Sequence, residues 1–179
     1  MHIRKSYLTF LIILINIGSC LGQQKTNIIS CEEYGNITFN DVTINQINAT
    51  EGDPQQLQQL LGQYSSMEES DTFWERTYKY GENTVLFNYE HGNVNGHVTN
   101  ISITNNQWPV KIKGHAIRVG DSVADLKQAF GSDLVVGESK YFSEHFVTFG
   151  CPGNDYDGWV ININPDTDKI FEITYFVNP

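Results

Sequence analysis

The chain has 179 residues, with 21 Asp or Glu against 11 Lys or Arg, and its formal net charge is −10. Beyond residue 22 there remain 9 basic and all 21 acidic side chains, so the net charge of that part is −12. Nucleic-acid binding needs clustered Lys and Arg, which this sequence lacks, and the same shortage argues against adsorption to anionic lipid.

Residues 1–22 have the pattern of an export signal. Arg4 and Lys5 supply a basic start, and an apolar run follows over residues 7–17. The run is shorter than the about 20 apolar residues that cross a bilayer. Residues 17–20 resemble a bacterial lipobox, which would leave Cys20 lipidated and the protein in the outer membrane or periplasm. Cleavage after Gly22 would instead release a soluble secreted protein. We favour the lipoprotein, because Cys is uncommon so close to a cleavage point.

Residues 23–35 are expected to form a polar tether before the folded part of the chain. Cys31 and Cys151 remain under either cleavage, and in an oxidising compartment they could form a disulfide. Such a bridge closes a loop of over a hundred residues, which the chain-entropy model values at about 4 to 5 kcal/mol. A nucleophilic Cys151 is the weaker alternative, since no His partner is evident to activate it.

One pattern of hairpin, helix and alternating strands occurs twice after the tether. Asp53 and Asp121 are placed to cap the two helix starts, and Gly62 and Gly131 are placed to end the helices. The final segments of both copies also share an apolar spacing, over residues 97–103 and 169–175.

The sequence therefore predicts an α+β protein built as a tandem repeat of two similar units. Each unit would be a short hairpin and a helix packed on an antiparallel sheet. The first unit is expected over residues 36–107 and the second over residues 108–179. Two such units would present a two-lobed surface suited to binding.

No catalytic signature appears in the chain. It has no Gly-x-Ser-x-Gly elbow, no His-Glu-x-x-His and no Gly-rich phosphate loop. Asp155 and Asp157 alternate as in a calcium loop, but the closing Glu of an EF-hand is missing, so they are only a weak calcium candidate. No cofactor is expected. The histidines lack the spacing of metal ligands: His91, His97, His115 and His145.

The remaining candidates for a functional role are aromatic side chains. A helix covers one face of a sheet, and exposed Tyr and Trp on the other face are typical interface anchors. The alternation around Trp159 also suits a core position. The candidate contacts to a partner protein are Phe73, Trp74, Tyr78, Tyr80, Tyr156 and Trp159.

The repeated unit resembles a known family of envelope modules. In the second copy, Val119-Gly120-Asp121 precedes the helix and Ala129-Phe130-Gly131 ends it, which looks like the outer-membrane assembly lipoprotein BamE. In duplicate the unit resembles the β-lactamase inhibitory protein. The resemblance implies a helix-plus-sheet fold in an exported envelope protein.

Our leading hypothesis is an exported, non-enzymatic module that binds another protein, as an envelope scaffold, an inhibitor or an immunity-type lipoprotein. The alternative is a small secreted hydrolase or carbohydrate-binding module. It would use carboxylates such as Glu68, Glu69 or Asp155, with aromatic rings stacking on sugar.

Overall fold

A computed structural model describes residues 27–70, 74–89, 95–138, 145–154 and 157–177. The strands in these ranges are β1 (Asn27–Ile28), β2 (Thr38–Phe39), β3 (Val42–Thr43), β4 (Ser66–Ser70), β5 (Glu75–Tyr80), β6 (Asn83–Tyr89), β7 (Gly96–Ile103), β8 (Val110–Ile112), β9 (His115–Ile117), β10 (Gly137–Glu138), β11 (His145–Gly150), β12 (Asp157–Asn164) and β13 (Lys169–Val177). The helices are α1 (Cys31–Gly35), α2 (Ile44–Asn48), α3 (Pro54–Leu61) and α4 (Val123–Phe130).

Two sheets organise the described residues. The larger is nine-stranded, in the order β1–β11–β12–β13–β7–β6–β5–β4, and β10 also pairs with β11. Its neighbours are antiparallel except for β1 and β11, which are parallel. The smaller sheet has the order β3–β2–β8–β9.

The predicted α+β class with two separate units is wrong, because the chain is mostly β and both halves share their sheets. Strands β7 and β13 pair with each other at the centre of the large sheet, with Ser102 opposite Thr174. The two hairpins likewise join through β2 and β8 into one small sheet. The physical reason is that each of these strands satisfies the backbone hydrogen bonds of the other half. The helices are short, with five or eight residues each.

The core lies on one face of the large sheet, as its alternating strands dictate. Along β6, every second residue from Asn83 to Tyr89 is buried, a pattern typical of a sheet covered on one side. Leu57 of α3 and Leu126 of α4 are fully buried against this core. On the opposite face, the Glu172 carboxylate accepts hydrogen bonds from polar side chains of neighbouring strands.

The ends of the two longer helices follow from single residues. Asp53 caps α3 by accepting the N–H groups of Gln55 and Gln56 at 3.0 and 2.9 Å. For α4 the cap is Ser122 rather than Asp121, because Ser122 forms a capping box with Asp125. The Asp121 carboxylate accepts the Arg118 N–H instead, at 2.7 Å.

Residues 27–35, expected to be tether, contain β1 and α1. The side chain of Asn27 donates to the carbonyls of Val135 and Thr148 and accepts the Val135 N–H, which holds β1 on the sheet. Helix α1 begins with a capping box between Ser30 and Glu33. That Ser-x-x-Glu spacing is a helix signal readable in the sequence.

The predicted disulfide between Cys31 and Cys151 is confirmed, with the Cα atoms 5.0 Å apart. It fixes α1 beside the end of β11, 120 residues further along the chain. A structural disulfide is typical of proteins that fold in an oxidising compartment, as exported proteins do. In the described ranges, no helix has both the length and the apolar character needed to cross a membrane.

We expect loss of the disulfide to destabilise the fold strongly. In a Cys20→Ser background, Cys31→Ala/Cys151→Ala should lower the free energy of unfolding by about 4 kcal/mol, because the unfolded chain regains the freedom of a long loop. Urea denaturation measures the change. Reductant should destabilise the Cys20→Ser protein equally and leave the triple variant unchanged. A reductant effect on the triple variant would contradict this account.

Candidate functional site

The predicted aromatic face is mostly interior. Tyr78 is 0% exposed, Tyr80 is 8% exposed and Trp159 is 1% exposed, so these three side chains are core residues and not surface anchors. The reason is strand alternation, since Tyr78 and Tyr80 share the core face of β5. Trp74, in contrast, is 46% exposed. The remaining aromatic candidates, Phe73 and Tyr156, lie outside the described residues.

The other sequence candidates do not come together at one site. Asp157 accepts a hydrogen bond from the Tyr175 hydroxyl at 2.9 Å, and its calcium partner Asp155 is outside the described residues. Across the part of the chain that the structure describes, no cluster of three or more His, Cys, Asp or Glu could hold a metal ion. His115 packs on Phe130, while His145 approaches Glu138 at 3.8 Å.

A groove surrounds the exposed Trp74, with a volume of about 550 Å³. It lies where the β4–β5 edge of the large sheet meets the connection between α2 and α3. We call it the Trp74 groove. Its lining is mostly polar and acidic: Thr50, Glu51, Gly52, Asp53, Pro54, Gln56, Glu69, Ser70, Trp74, Glu75, Arg76, Tyr89 and Asn95.

Arg76 contacts several of the residues that line the groove. Its Nε donates to Glu69 Oε1 at 2.6 Å, and its Nη1 donates to the Tyr89 hydroxyl at 3.2 Å. Its guanidinium carbon also lies 4.9 Å from the centre of the Tyr89 ring, a cation–π contact. The Tyr78 hydroxyl donates to the Gly52 carbonyl at 2.6 Å. These contacts tie the sheet edge to the loop before α3 and so fix the shape of the groove.

The Arg76 contacts leave the groove with an excess of negative charge. Among the residues that the structure describes, four acidic ones line it, Glu51, Asp53, Glu69 and Glu75, against one basic residue, Arg76. The Arg76 charge is already compensated by Glu69. The stretch of sequence that supplies the lining is also acidic, since residues 27–107 contain eleven Asp or Glu and two Lys or Arg. The groove is therefore suited to a cationic ligand.

Arg76 itself stays charged in this setting. Burial alone would lower its pKa, but the hydrogen bond to Tyr78, the electrostatic interactions with Tyr89 and Tyr78, and the hydrogen bond to Glu69 raise the pKa above its usual value. Burial is also the main reason that the pKa of Tyr89 rises to about 12.

The carboxylates proposed for sugar hydrolysis do not face each other. Glu68 and Glu69 are consecutive on β4, so their side chains point to opposite faces of the sheet. Glu68 pairs with Lys79 at 2.5 Å, and Glu69 pairs with Arg76. The third carboxylate of that hypothesis, Asp155, is outside the described residues.

Sequence reasoning missed the cluster of Gly52, Arg76 and Tyr89. These residues are separated by 13 to 37 positions along the chain and meet only once the strands pair. The sequence feature that could have indicated this cluster is Glu51-Gly52, a dipeptide typical of turns that stands just before the capped helix α3. Both residues have positive φ, at 51° and 76°.

We expect Gly52→Ala to disrupt the groove. A Cβ at this position would lie 2.1 Å from the Tyr89 hydroxyl oxygen. The control is Gly81→Ala, whose φ of 68° is close to the 76° of Gly52 but whose Cβ would meet nothing within 4 Å. Overpacking at Gly52 should lower the free energy of unfolding by about 2 kcal/mol more than the control. Urea denaturation of both variants checks this, and equal losses would contradict the contact.

The Tyr89 hydroxyl should also make stability fall at alkaline pH. Its folded pKa of about 12 exceeds the about 10 of an unfolded Tyr, so its contribution is complete below pH 10 and is lost between pH 10 and 12. Over that window, Tyr89→Phe should show a shallower decline in the free energy of unfolding. Urea titrations at stepped pH measure both slopes, and identical slopes would contradict the prediction.

Comparison with known proteins gives one structural similarity. No protein-family model matches the chain, and no curated protein sequence matches it. Among solved structures, the chain is similar to an extracellular protein containing a SCP domain from Bacillus anthracis str. Ames, at 14% identity and a TM-score of 0.44. The match covers 87% of this chain and 49% of that one, so the chain spans about half the length of that protein.

Proposed function

We propose that the chain is an exported, non-enzymatic module that binds a basic segment of a partner protein in the Trp74 groove. The observation that carries the proposal is the exposed indole of Trp74 beside four acidic residues. Arg76, the one basic residue in the described part of the lining, is already paired with Glu69. A Lys or Arg side chain of the partner could stack on the indole and meet the carboxylates.

The fixed floor of the groove supports this role. Arg76, Tyr78 and Tyr89 are held by hydrogen bonds to each other and to Gly52, so binding would require little ordering of the protein. A preformed site loses less conformational entropy on binding than a mobile one. The polar rim and single aromatic anchor are also features of protein interfaces.

The cellular role that we propose is that of an envelope scaffold, an inhibitor or an immunity-type factor, in keeping with the resemblance to BamE and to the β-lactamase inhibitory protein. The export signal and the disulfide support an extracytoplasmic setting. Lipidation at Cys20 would hold the module at a membrane surface. Mass spectrometry of the mature N-terminus tests this step, since an acylated Cys20 and an unmodified Gln23 differ in mass.

A pentalysine peptide tests the groove directly. We expect saturable binding, followed by the change in Trp fluorescence or by calorimetry, that weakens with salt as exposed charges are screened. Trp74→Ala should reduce the affinity about 10-fold, or ~1.4 kcal/mol. Glu51→Gln/Glu75→Gln should reduce it to a similar extent, because both acidic residues belong to the lining of the groove.

Matched controls distinguish the groove from the overall negative charge. Glu82→Gln/Asp166→Asn removes two exposed carboxylates outside the groove, and Phe171→Ala removes an exposed aromatic ring elsewhere. Both controls should bind pentalysine as the unmodified chain does. Equal losses in the groove and control variants would contradict the proposal. Binding of a neutral β-glucan oligosaccharide that depends on Trp74, without pentalysine binding, would favour the carbohydrate-binding alternative.

A further inference from the structure

A second cavity lies beside the disulfide, on the core side of α1. Its volume is about 270 Å³, and we call it the disulfide cavity. Tyr34 of α1, Trp159 of β12 and Tyr175 of β13 supply aromatic walls, and Asp157 supplies a carboxylate. Among the residues that the structure describes, the cavity shares no lining residue with the Trp74 groove.

Two buried polar atoms at this cavity have no hydrogen-bond partner among the described residues. They are the Tyr34 hydroxyl oxygen and Asp157 Oδ1. Tyr34 as a whole is only 8% exposed. The other carboxylate oxygen of Asp157 accepts from the Tyr175 hydroxyl at 2.9 Å, which fixes the carboxylate in place. Buried polar atoms are nearly always hydrogen-bonded in native proteins, so two around one cavity indicate a group that bridges them.

The electrostatics of the cavity favour a positive group. Burial and the nearby Asp157 carboxylate both raise the pKa of the Tyr34 hydroxyl. Burial and the hydrogen bond to Asp157 raise the pKa of the Tyr175 hydroxyl as well. Both phenols therefore stay neutral and can accept a hydrogen bond, while the carboxylate attracts a cation and repels an anion.

The groups that line the cavity indicate which kind of cation would bind there. Calcium sites are usually built from several carboxylates, but Asp157 is the one acidic residue in the described lining, and the described residues hold no group of three or more His, Cys, Asp or Glu that could bind a metal ion. A primary ammonium group has three N–H donors, enough for Asp157 Oδ1 and the Tyr34 hydroxyl. Its charge also suits walls of Tyr and Trp rings.

We propose that the disulfide cavity binds a small primary ammonium group, with Asp157 Oδ1 and the Tyr34 hydroxyl as its acceptors. The disulfide places Tyr34, three residues after Cys31, against Asp157, six residues after Cys151. The site is thus assembled from two ends of the chain and does not depend on the function of the Trp74 groove.

Calorimetry with methylammonium chloride tests the site, against NaCl at equal ionic strength. We expect saturable binding and a rise in Tm with methylammonium only. Tetramethylammonium carries the same charge but no N–H, and it should bind at least 10-fold more weakly. Nα-acetyl-lysine amide distinguishes a free amine from a Lys side chain as the natural source, since it binds only if the cavity admits a side chain.

Variants at the two acceptors complete the test. Asp157→Asn should weaken methylammonium binding at least 10-fold, and Tyr34→Phe about 5-fold. The matched control is Tyr80→Phe, which also removes a buried hydroxyl without a described partner but outside the cavity. If Asp157→Asn fails to fold, Tyr34→Phe still tests the site, because this variant removes only one oxygen atom from the protein.

Three results would overturn the proposal. The first is no saturable binding of methylammonium, and the second is equal affinity in Tyr34→Phe and the unmodified chain. The third is a crystal structure at saturating methylammonium with water only between the Tyr34 hydroxyl and Asp157 Oδ1.

Discussion

The pairing of β7 with β13 is the interaction that joins everything else in the fold. Ile103 lies opposite Ile173 and Ile101 opposite Tyr175, and all four side chains are buried on the same face. The pairing gives the molecule one continuous apolar surface, which the small sheet and the helices cover. Phe39 of the small sheet touches both Trp108 and Trp159, with ring centres 5.8 and 6.1 Å apart. Phe39 thus packs both on β12 of the large sheet and on the connection between β7 and β8.

The two proposed sites lie at places where this cover ends. At the β4–β5 edge, Arg76 occupies a core-facing position that an apolar residue would fill further inside, and Tyr78 and Tyr89 compensate its burial with hydrogen bonds. Beside α1, the core is closed by Tyr34 and Asp157, whose polar atoms face a cavity. Polar atoms at the margin of an apolar core are costly unless satisfied. Hydrogen bonds within the protein satisfy them at the β4–β5 edge, whereas the two atoms beside α1 would be satisfied by the ligand that we propose.

Local features of the fold were predictable from the sequence, because they depend on neighbouring residues. Gly62 and Gly131 end α3 and α4 with φ of 87° and 106°, as residues without a Cβ can. The disulfide was predictable because two cysteines remain beyond the expected export signal. The position of the α4 cap differed by one residue because Ser122 and Asp121 are both good caps, and only the capping box with Asp125 decides between them.

Long-range features were not predictable in the same way. A strand pattern states which residues share a face, but it does not state which strand lies beside it, so β7 and β13 could each have ended a separate sheet. Tyr78 and Tyr80 were expected to be exposed because charged residues stand next to them in the sequence. Alternation along the strand places those charged side chains on the other face of the sheet or, for Arg76, at the rim of the core. Arg76 itself meets Gly52 through a fold-wide arrangement, and no local motif encodes that contact.

The disulfide also determines how the protein responds to mechanical load. Cys31 and Cys151 close a covalent ring that contains all the described residues lining the Trp74 groove, whereas the described residues 27–30, 152–154 and 157–177 lie outside the ring. Along the covalent chain, a pulling force between residues 27 and 177 passes through the sulfur bridge, so it reaches the ring only through non-covalent contacts such as the β7–β13 and β11–β12 strand pairs. The outer stretches extend by at most about 3.6 Å per residue. A module pulled at both ends would therefore lose its outer strands first, while the residues that form the groove remain within a closed loop.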